Sequence, residues 1–269
     1  MSGAAPGGET PGEELLAVAL RAARAAAELL QERFRRPATG VVSKSSGTDL
    51  ATDADRDAEA VIVRTIAAAR PDDAIVAEEG GGADGASGVR WLVDPLDGTI
   101  NFVWGVPQWS VSIAALDGRG PVAAVVIDPS RGELFTARRG AGAHLDGAPL
   151  RMPPAPPLGE ALVATGFNYR ADERVRQAER LAHVLPRVRD VRRFGSAAID
   201  LAWLAAGRLD GYFETGVNPW DWAAGSLLVT EAGGVVQELP ARGGSPAGVL
   251  AAAPGLAGTL RALVDASYR

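Results

Sequence analysis

Two aspartates, Asp94 and Asp97, have the spacing and surroundings that most clearly indicate chemistry in this chain. They follow the run Val89–Val93, which predicts a buried strand. Pro95, between them, fixes its own φ and favours an extended conformation at Asp94. We therefore expect the strand to end in a stiff turn that aims both carboxylates, and the carbonyl of Leu96, at one point.

Oxygen ligands of this kind suit a hard cation such as Mg²⁺. After the second aspartate, Gly98 permits close approach of the backbone to a ligand, and Thr99 can begin a helix whose free N–H groups attract phosphate. The motif therefore predicts that a metal and a phosphate share one small space, as phosphoryl hydrolysis requires.

Two more carboxylates stand at the ends of predicted elements. Glu78 follows the predicted strand Ala74–Ala77, and Asp221 begins a predicted helix. A phosphate monoester near neutral pH carries nearly two negative charges, so four bare carboxylates would repel it. Two or three divalent cations would reverse the sign of the site.

We expect one cation, held by Glu78, Asp94 and the carbonyl of Leu96, to lower the pKa of a bound water and make it the nucleophile. A second cation, held by Asp94, Asp97 and Asp221, would stabilise the leaving alkoxide, so that Asp94 bridges the two. In-line attack then needs little further covalent chemistry from the protein.

Each of these features alone also has a structural interpretation. A lone Asp-x-x-Asp turn is commonly a surface turn, Asp221 is a good helix N-cap, and Glu78-Glu79 before glycines is commonly solvated. The functional interpretation is favoured because a proline, a glycine and a threonine stand in register with the two aspartates at the end of an apolar strand.

Composition excludes several classes of function. The chain has no cysteine, which excludes disulfides, thiolate metal sites and cysteine-nucleophile phosphatases. It has only two histidines and neither a GxSxG elbow nor a Walker P-loop. The net charge of −6 argues against nucleic acid as the main partner.

No apolar run approaches the roughly 20 residues of a membrane span, and glutamates interrupt the Ala/Leu/Arg-rich N-terminal stretch, so we expect a cytoplasmic protein with no membrane contact.

The chain divides into a short tail and two halves. Residues 1–12 are Gly/Pro-rich and are expected to be unstructured. Residues 13–151 should pair two helices with a largely antiparallel sheet that carries the metal and phosphate site. After a Pro-rich connection, residues 158–269 should form a mixed α/β layer that contributes Asp221 and the substrate contacts.

Periodicity and breakers locate the individual elements. Residues 41–50 should form a loop or loose hairpin, and residues 80–88 a mobile loop. The predicted helices are Glu13–Arg36, Ala54–Ala69, Glu173–Val184, Ser196–Ala206 and Asp221–Ala232. The predicted strands are Ala74–Ala77, Val89–Val93, Trp109–Leu116, Val122–Ile127, Glu133–Thr136, Ala161–Ala164, Val188–Arg192 and Asp210–Glu214.

Four segments resemble the inositol monophosphatase family, within the lithium-sensitive, magnesium-dependent sugar-phosphatase superfamily. They are Val76–Gly80, Asp94–Phe102, Trp220–Gly225 and Thr230–Gly234. The resemblance implies an α+β fold, the layered αβαβα sandwich of inositol monophosphatase and fructose-1,6-bisphosphatase. It also implies dependence on Mg²⁺ with two or three ions per site, inhibition by lithium, and a homodimer.

The resemblance also assigns roles to residues. The metal ligands that the resemblance implies are the side chains of Glu78, Asp94, Asp97 and Asp221 and the backbone carbonyl of Leu96. Thr99, with Asp55 on the preceding helix and Thr52 beside it, resembles the group that positions the attacking water, and Lys44 matches a flexible catalytic loop. The implied substrate contacts are Gly98 and Thr99 for the phosphate, with Asp97, Ala197, Glu214 and Asp221.

The choice of substrate is less closely defined. Glu214 matches the family's contact with an inositol hydroxyl, whereas Asn218 stands where some relatives have a histidine. Proteins of similar fold hydrolyse fructose 1,6-bisphosphate, histidinol phosphate or adenosine bisphosphate and phosphosulfate derivatives. An acidic Glu214 favours a neutral polyol phosphate, because it would repel a second phosphate.

Two other classes of protein share part of this pattern. A haloacid-dehalogenase-type phosphatase also places Asp-Gly-Thr after an apolar strand, but it needs its two aspartates two positions apart and has no use for Asp221. A regulatory binding protein of the transcription machinery could keep the same fold, and the loss of a metal ligand would mark it. None of the expected ligands is lost here.

Overall fold

The computed structural model of the chain describes residues 11–44 and 50–268. Its helices are α1 (Pro11–Arg33), α2 (Asp53–Ala69), α3 (Thr99–Val103), α4 (Ala171–Val184), α5 (Ala197–Ala205), α6 (Pro219–Glu231) and α7 (Pro254–Asp265). Its strands are β1 (Val42–Ser43), β2 (Leu50–Ala51), β3 (Ala74–Ala77), β4 (Arg90–Asp97), β5 (Ser110–Asp117), β6 (Gly120–Asp128), β7 (Glu133–Arg138), β8 (Gly142–Leu145), β9 (Ala148–Pro149), β10 (Leu162–Thr165), β11 (Asp190–Arg192), β12 (Gly211–Thr215), β13 (Val235–Leu239) and β14 (Gly248–Ala252).

The first half of the chain builds a seven-stranded sheet in the order β3-β4-β5-β6-β7-β8-β9. Only β3 and β4 run parallel, and the other pairs are antiparallel, as expected. Helices α1 and α2 cover one face of this sheet and α6 covers the other. Both faces are covered, so consecutive residues of β4 are apolar at Trp91–Val93: Trp91 and Val93 pack with the α1–α2 side, and Leu92 packs with the α5–α6 side.

The second half builds a mixed sheet of five strands in the order β11-β10-β12-β14-β13. Strand β10 runs parallel to β11 and β12, and β14 runs antiparallel to β12 and β13. Helices α5 and α6 pack on one face of this sheet, and α7 packs on the other. The layers therefore follow the order α1–α2, first sheet, α5–α6, second sheet and outer helices, which is the αβαβα sandwich that the sequence predicted.

The middle layer is buried from both sides. The seven consecutive residues Ala223–Val229 of α6 are all buried, as expected for a helix that lies between two sheets. At Gly225, an added Cβ would lie 2.4 Å from the Cβ of Leu201 on α5, which is closer than real atoms come. The glycine therefore allows α5 and α6 to approach each other closely.

Several predicted boundaries need correction. Helix α1 begins at Pro11, inside the segment expected to be unstructured, and ends at Arg33 instead of Arg36. Arg35 has a left-handed φ of 66°, and the residue before Pro37 is disfavoured in a helix, so the chain leaves the helix early. Of the expected hairpin, the structure describes β1 paired with β2; residues 45–49 lie outside the described residues, as do residues 1–10.

Other elements were not expected from the sequence. These are α7, β8, β9, β13 and β14. The predicted loop at residues 80–88 folds back on β3, where Ala83 pairs with Ile75. Within residues 11–44 and 50–268, no helix combines the length and the apolar character needed to cross a membrane.

Candidate active site

A cavity of about 340 Å³ lies where β3 and β4 end and where α3, α5 and α6 begin. Nearly all residues that the sequence singled out line it. They are Lys44, Glu78, Asp94, Leu96, Asp97, Gly98, Thr99, Ala197, Glu214 and Asp221. Two predicted residues lie just outside it. Asp55 accepts a hydrogen bond from the Thr99 hydroxyl, and Thr52 donates a hydrogen bond to Asp55.

A β-bulge in β4 orients the two central aspartates. Asp94 pairs with Ser112 and Asp97 pairs with Ser110, so three steps along β4 oppose two steps along β5. In a regular strand, residues three apart point to opposite faces; the extra residue brings both aspartates to the same face. The expectation that the strand ends before Asp94 is therefore wrong, since β4 continues to Asp97 through the bulge.

Donors from the chain fix one oxygen of each aspartate in this cluster. Oδ1 of Asp94 accepts a hydrogen bond from the backbone N–H of Leu96 at 3.0 Å. Oδ2 of Asp97 accepts from the Ser196 hydroxyl and from the Ala198 N–H, both at 2.7 Å. These two donors belong to the start of α5, so Asp97 links the first sheet to the middle layer.

Asp221 reaches the same cavity from the first turn of α6. Its Oδ2 accepts a hydrogen bond from the backbone N–H of Asn218 at 2.6 Å, which satisfies a donor at the start of the helix. The N-cap role and a role in the cavity are therefore compatible, because the carboxylate has a second oxygen for another ligand.

Glu78 is the one predicted metal ligand that already has a cation. The Lys44 ammonium donates to Oε1 of Glu78 at 2.9 Å and also forms an ion pair with Glu79. Burial lowers the pKa of Lys44, but the two glutamates outweigh it and raise that pKa above its ordinary value. Lys44 is thus held in the charged form beside the acidic cluster.

The pKa values of the three clustered aspartates are raised because the carboxylates are buried close together. Burial, followed by repulsion from Glu78 and the other two aspartates, raises the pKa of Asp94 well above its ordinary value. Burial also raises the pKa of Asp97 to about 6, although its hydrogen bonds from Ala198 and Ser196 act in the opposite direction. The pKa of Asp221 is raised by burial and by the charges of Asp97 and Glu78.

The residues of this cluster fit a hard divalent cation. Within residues 11–44 and 50–268, no three His, Cys, Asp or Glu side chains already surround a single point as a ready cage. However, Asp94, Asp97, Asp221 and the Leu96 carbonyl offer only oxygen donors, and the three carboxylates repel one another in a buried space. Positive charge would remove that repulsion, and oxygen donors are the kind that Mg²⁺ binds.

A chain of three hydrogen-bonded residues lies beside the cluster. The Thr99 hydroxyl lies 2.8 Å from Oδ1 of Asp55 and 3.1 Å from the carbonyl of Leu96. Oδ2 of Asp55 accepts from both the backbone N–H and the hydroxyl of Thr52, at 2.8 and 2.6 Å. Burial raises the pKa of Asp55, and these hydrogen bonds oppose that effect.

Gly98 makes the tight turn between this cluster and α3. Its φ of 100° belongs to the left-handed region, and an added Cβ would lie 2.9 Å from the carbonyl oxygen of Gln108. Only glycine fits here without strain, and α3 begins at Thr99, where the sequence placed a helix start.

On the far side of the cavity, β12 presents Glu214. Its Oε2 accepts a hydrogen bond from the buried Tyr212 hydroxyl at 2.7 Å. An added Cβ at Gly166 would lie 2.0 Å from the same oxygen, so the carboxylate occupies space that this glycine leaves open. Burial raises the pKa of Glu214 to about 7, while Tyr212 and the charge of Arg193 act to lower it.

Sequence reasoning missed several residues of this cavity. Arg193, which directly follows the predicted strand Val188–Arg192, lines it, whereas Arg192 pairs with Asp190. Ser196 and Tyr212 act only through contacts that the fold creates. Asp200 also lines the cavity, and its isolated charge within the apolar segment Ala197–Ala205 was an available signal.

Comparison with known proteins identifies the family. The model of the inositol monophosphatase family matches residues 12–266. The chain belongs to the inositol monophosphatase family. It is therefore a metal-dependent phosphomonoesterase, and the fold class and the family expected from the sequence are confirmed.

The chain is similar to several bacterial members of the inositol monophosphatase family. The chain is 47% identical over 235 residues to the inositol-1-monophosphatase SuhB of Mycobacterium tuberculosis, covering 84% of this chain and 81% of that protein. It is 45% identical over 227 residues to the Nus factor SuhB of Escherichia coli, covering 83% of this chain and 85% of that protein. The crystal structure of the extragenic suppressor protein SuhB from Bartonella henselae superposes with a TM-score of 0.85 at 34% identity, covering 93% of this chain and 98% of that one.

Proposed function

We propose that this protein is an inositol-phosphate phosphatase that uses Mg²⁺ to hydrolyse inositol monophosphate or a related polyol or sugar phosphate. The observation that carries the proposal is the convergence of Asp94, Asp97 and Asp221 on one cavity, beside the hydrogen-bonded pair Thr99 and Asp55. The name of the M. tuberculosis relative supports inositol 1-phosphate as the first substrate to test.

Two or three Mg²⁺ ions would be held by Glu78, Asp94, the Leu96 carbonyl, Asp97 and Asp221. When bound, Mg²⁺ lowers the pKa of a water and stabilises charge on the leaving oxygen. Lys44 forms an ion pair with Oε1 of Glu78, so a cation bound by this carboxylate would compete with the Lys44 ammonium or use the second oxygen. The hydrogen bonds from Leu96, Ala198, Ser196 and Asn218 hold one oxygen of each aspartate in place throughout.

Thr99 and Asp55 position the attacking water in this proposal. The Thr99 hydroxyl donates its proton to Oδ1 of Asp55, so its lone pairs are left to accept a hydrogen bond from water. Thr52 donates to the other oxygen of Asp55 and fixes the orientation of that carboxylate. A proton from the water then passes to Oγ1 of Thr99 as the threonine proton moves to Oδ1 of Asp55.

Backbone and side chains from both halves bind the substrate. The backbone N–H groups of Gly98 and Thr99 are proposed to hold the phosphate, with Lys44 as a nearby positive charge. Ala197 and Glu214 are proposed to face the polyol, and the Tyr212 hydroxyl orients the Glu214 carboxylate.

Other substrates of the same fold remain alternatives within this proposal: fructose 1,6-bisphosphate, histidinol phosphate and adenosine bisphosphate. Burial raises the pKa of Glu214 to about 7, and the ionised form of this carboxylate would repel a second phosphate on the leaving group. This favours a monophosphate of a neutral polyol.

The name of the E. coli relative suggests a second role in transcription. A chain that acted only as a regulatory binding protein would have no need for the aspartate cluster or the Thr99–Asp55 pair. We therefore propose a working enzyme, to which a binding role would be an addition.

Phosphate release from a panel of substrates tests the proposal. The panel is inositol 1-phosphate, fructose 1,6-bisphosphate, histidinol phosphate and adenosine 3′,5′-bisphosphate, each assayed in EDTA and with added Mg²⁺. We expect activity only with Mg²⁺ and the highest kcat/KM on inositol 1-phosphate. Equal activity in EDTA would contradict the metal requirement, and preference for a bisphosphate would contradict the choice of substrate.

A further inference from the structure

Helix α5 carries one acidic side chain, Asp200, in a segment that is otherwise apolar. The side chain is almost completely buried, with 1% of its surface exposed, yet it lines the same cavity as Glu214 and Asp97. None of the roles proposed above uses Asp200. An acid in such a place needs an explanation, because buried carboxyl groups are rare unless they are paired.

Asp200 has an oxygen without a partner. Its Oδ1 is shielded from solvent and accepts no hydrogen bond from the part of the chain that the structure describes, residues 11–44 and 50–268. The buried Asp73, in contrast, accepts hydrogen bonds from Arg70, Ser87 and Trp91. Buried polar atoms nearly always have a partner, and an orphan beside a cavity points to a ligand as that partner.

The surrounding charges favour the neutral form of Asp200. Burial, followed by the negative charges of Glu214 and Asp97, raises the pKa of Asp200 well above its ordinary value, and Arg193 only partly opposes this. A neutral carboxylic acid both donates and accepts hydrogen bonds. Glu214, held by Tyr212, has an oxygen that is left to accept.

We propose that Asp200 is a specificity-determining residue that binds a hydroxyl group of the polyol leaving group together with Glu214. The inference rests on the proposed function. A single hydroxyl can accept from the acid of Asp200 and donate to the free oxygen of the Glu214 carboxylate, so one ring hydroxyl placed between them satisfies both. An aryl leaving group without hydroxyls offers the pair nothing to bind.

Two substitutions separate hydrogen bonding from size. Asp200→Leu keeps a similar volume and removes both hydrogen-bonding functions, whereas Asp200→Asn retains a donor and an acceptor. Asp73→Asn is the matched control, because Asp73 is equally buried but lies outside the cavity. Circular dichroism and thermal midpoints verify that each variant is folded.

The assay compares inositol 1-phosphate with p-nitrophenyl phosphate, both with Mg²⁺. For Asp200→Leu we expect KM for inositol 1-phosphate to rise about tenfold or more, because one hydrogen bond to a buried group is lost. For the aryl phosphate, kcat/KM should change less than about twofold. Asp200→Asn should stay within about threefold of wild type on both. Inhibition by free myo-inositol should weaken in Asp200→Leu by a factor similar to that for KM.

Parallel losses on both substrates, or no change on either, would overturn the role of Asp200. So would a control variant that changed substrate preference to the same extent. Failure of the proposed function has a different signature: the wild-type protein would hydrolyse neither compound with Mg²⁺, and the inference would fall with it. If Asp200→Leu does not fold, Asp200→Ala replaces it in the same assay. For Asp200→Ala we expect the same loss on inositol 1-phosphate relative to p-nitrophenyl phosphate.

Discussion

The backbone N–H of Ala198 donates a hydrogen bond of 2.7 Å to Oδ2 of Asp97, although the two residues are 101 positions apart in the chain. This contact connects the bulge at the end of β4 with the first turn of α5. The first half of the chain alone therefore cannot hold Asp97 in this orientation, because both donors to its Oδ2 belong to the second half.

Asp94→Asn is expected to abolish catalysis while preserving the fold. Asp94 is a proposed ligand of the cations, and the loss of its charge should remove several kcal/mol of transition-state stabilisation, so kcat should fall about 10³-fold or more. In EDTA the variant should melt at a higher temperature than wild type, because the repulsion within the cluster is reduced. Asp84→Asn, an exposed acid, is the control; turnover near wild type in Asp94→Asn would refute the assignment.

The hydroxyl of Thr99 is expected to be the functional group at that position. Thr99→Ala removes the link between Asp55 and water, and kcat should fall by about 10²–10⁴-fold, as for the loss of a proton-transfer group. Thr99→Ser retains the hydroxyl and should keep most of the activity. Steady-state kinetics with Mg²⁺ measures both, and equal losses in the two variants would point to packing instead.

Stability of the metal-free protein should fall as the pH rises from 5 to 8. The pKa values of Asp97 and Glu214 are raised to about 6 and about 7, so the native state holds protons that the unfolded chain has already released. Stability therefore decreases with pH through this window. Calorimetry in EDTA should show a Tm that declines by several degrees from pH 5 to 8.

Added Mg²⁺ should raise that Tm most at pH 8, where the carboxylates are charged and cation binding favours the native state. A flat or rising Tm in EDTA across the same pH range would contradict the inference that the buried carboxylates repel one another when they are ionised.

Gly166→Ala should act on the substrate through Glu214. The new methyl group would collide with the Glu214 carboxylate and displace it, so KM for a polyol phosphate should rise, as in Glu214→Gln, by about tenfold. The rate on p-nitrophenyl phosphate should change far less in both variants. Gly118→Ala, where an added Cβ meets nothing, is the matched control. Equal losses on both substrates would remove the substrate role of Glu214.

Much of the site was predictable because its acids stand at the ends of local elements. Each of the four acids follows a predicted strand or begins a predicted helix, and strand ends and helix starts meet at the edges of layers: Glu78, Asp94, Asp97 and Asp221. The bulge was not predictable, since it shows only in the pairing of β4 with β5. The sequence pattern instead suggested a turn.

The missed elements share a physical reason. Strand β14 and helix α7 are rich in alanine and glycine, which give weak local signals, and they are fixed by packing on the second sheet. Tyr212 and Arg193 were missed for another reason. A buried hydroxyl that orients Glu214, or a cation that faces the cavity, is defined only by neighbours that are distant in the chain.

Gly225 has a consequence for cation preference although it contacts no proposed ligand. Its close contact with Leu201 sets the distance between α5, whose first turn holds Asp97, and α6, whose first turn carries Asp221. Discrimination between small and large divalent ions depends on such distances. In the proposed site, the size of the cation that fits thus depends partly on how closely the two helices approach at this apolar crossing. Relatives could change that size by substitutions at the crossing, without exchanging any carboxylate.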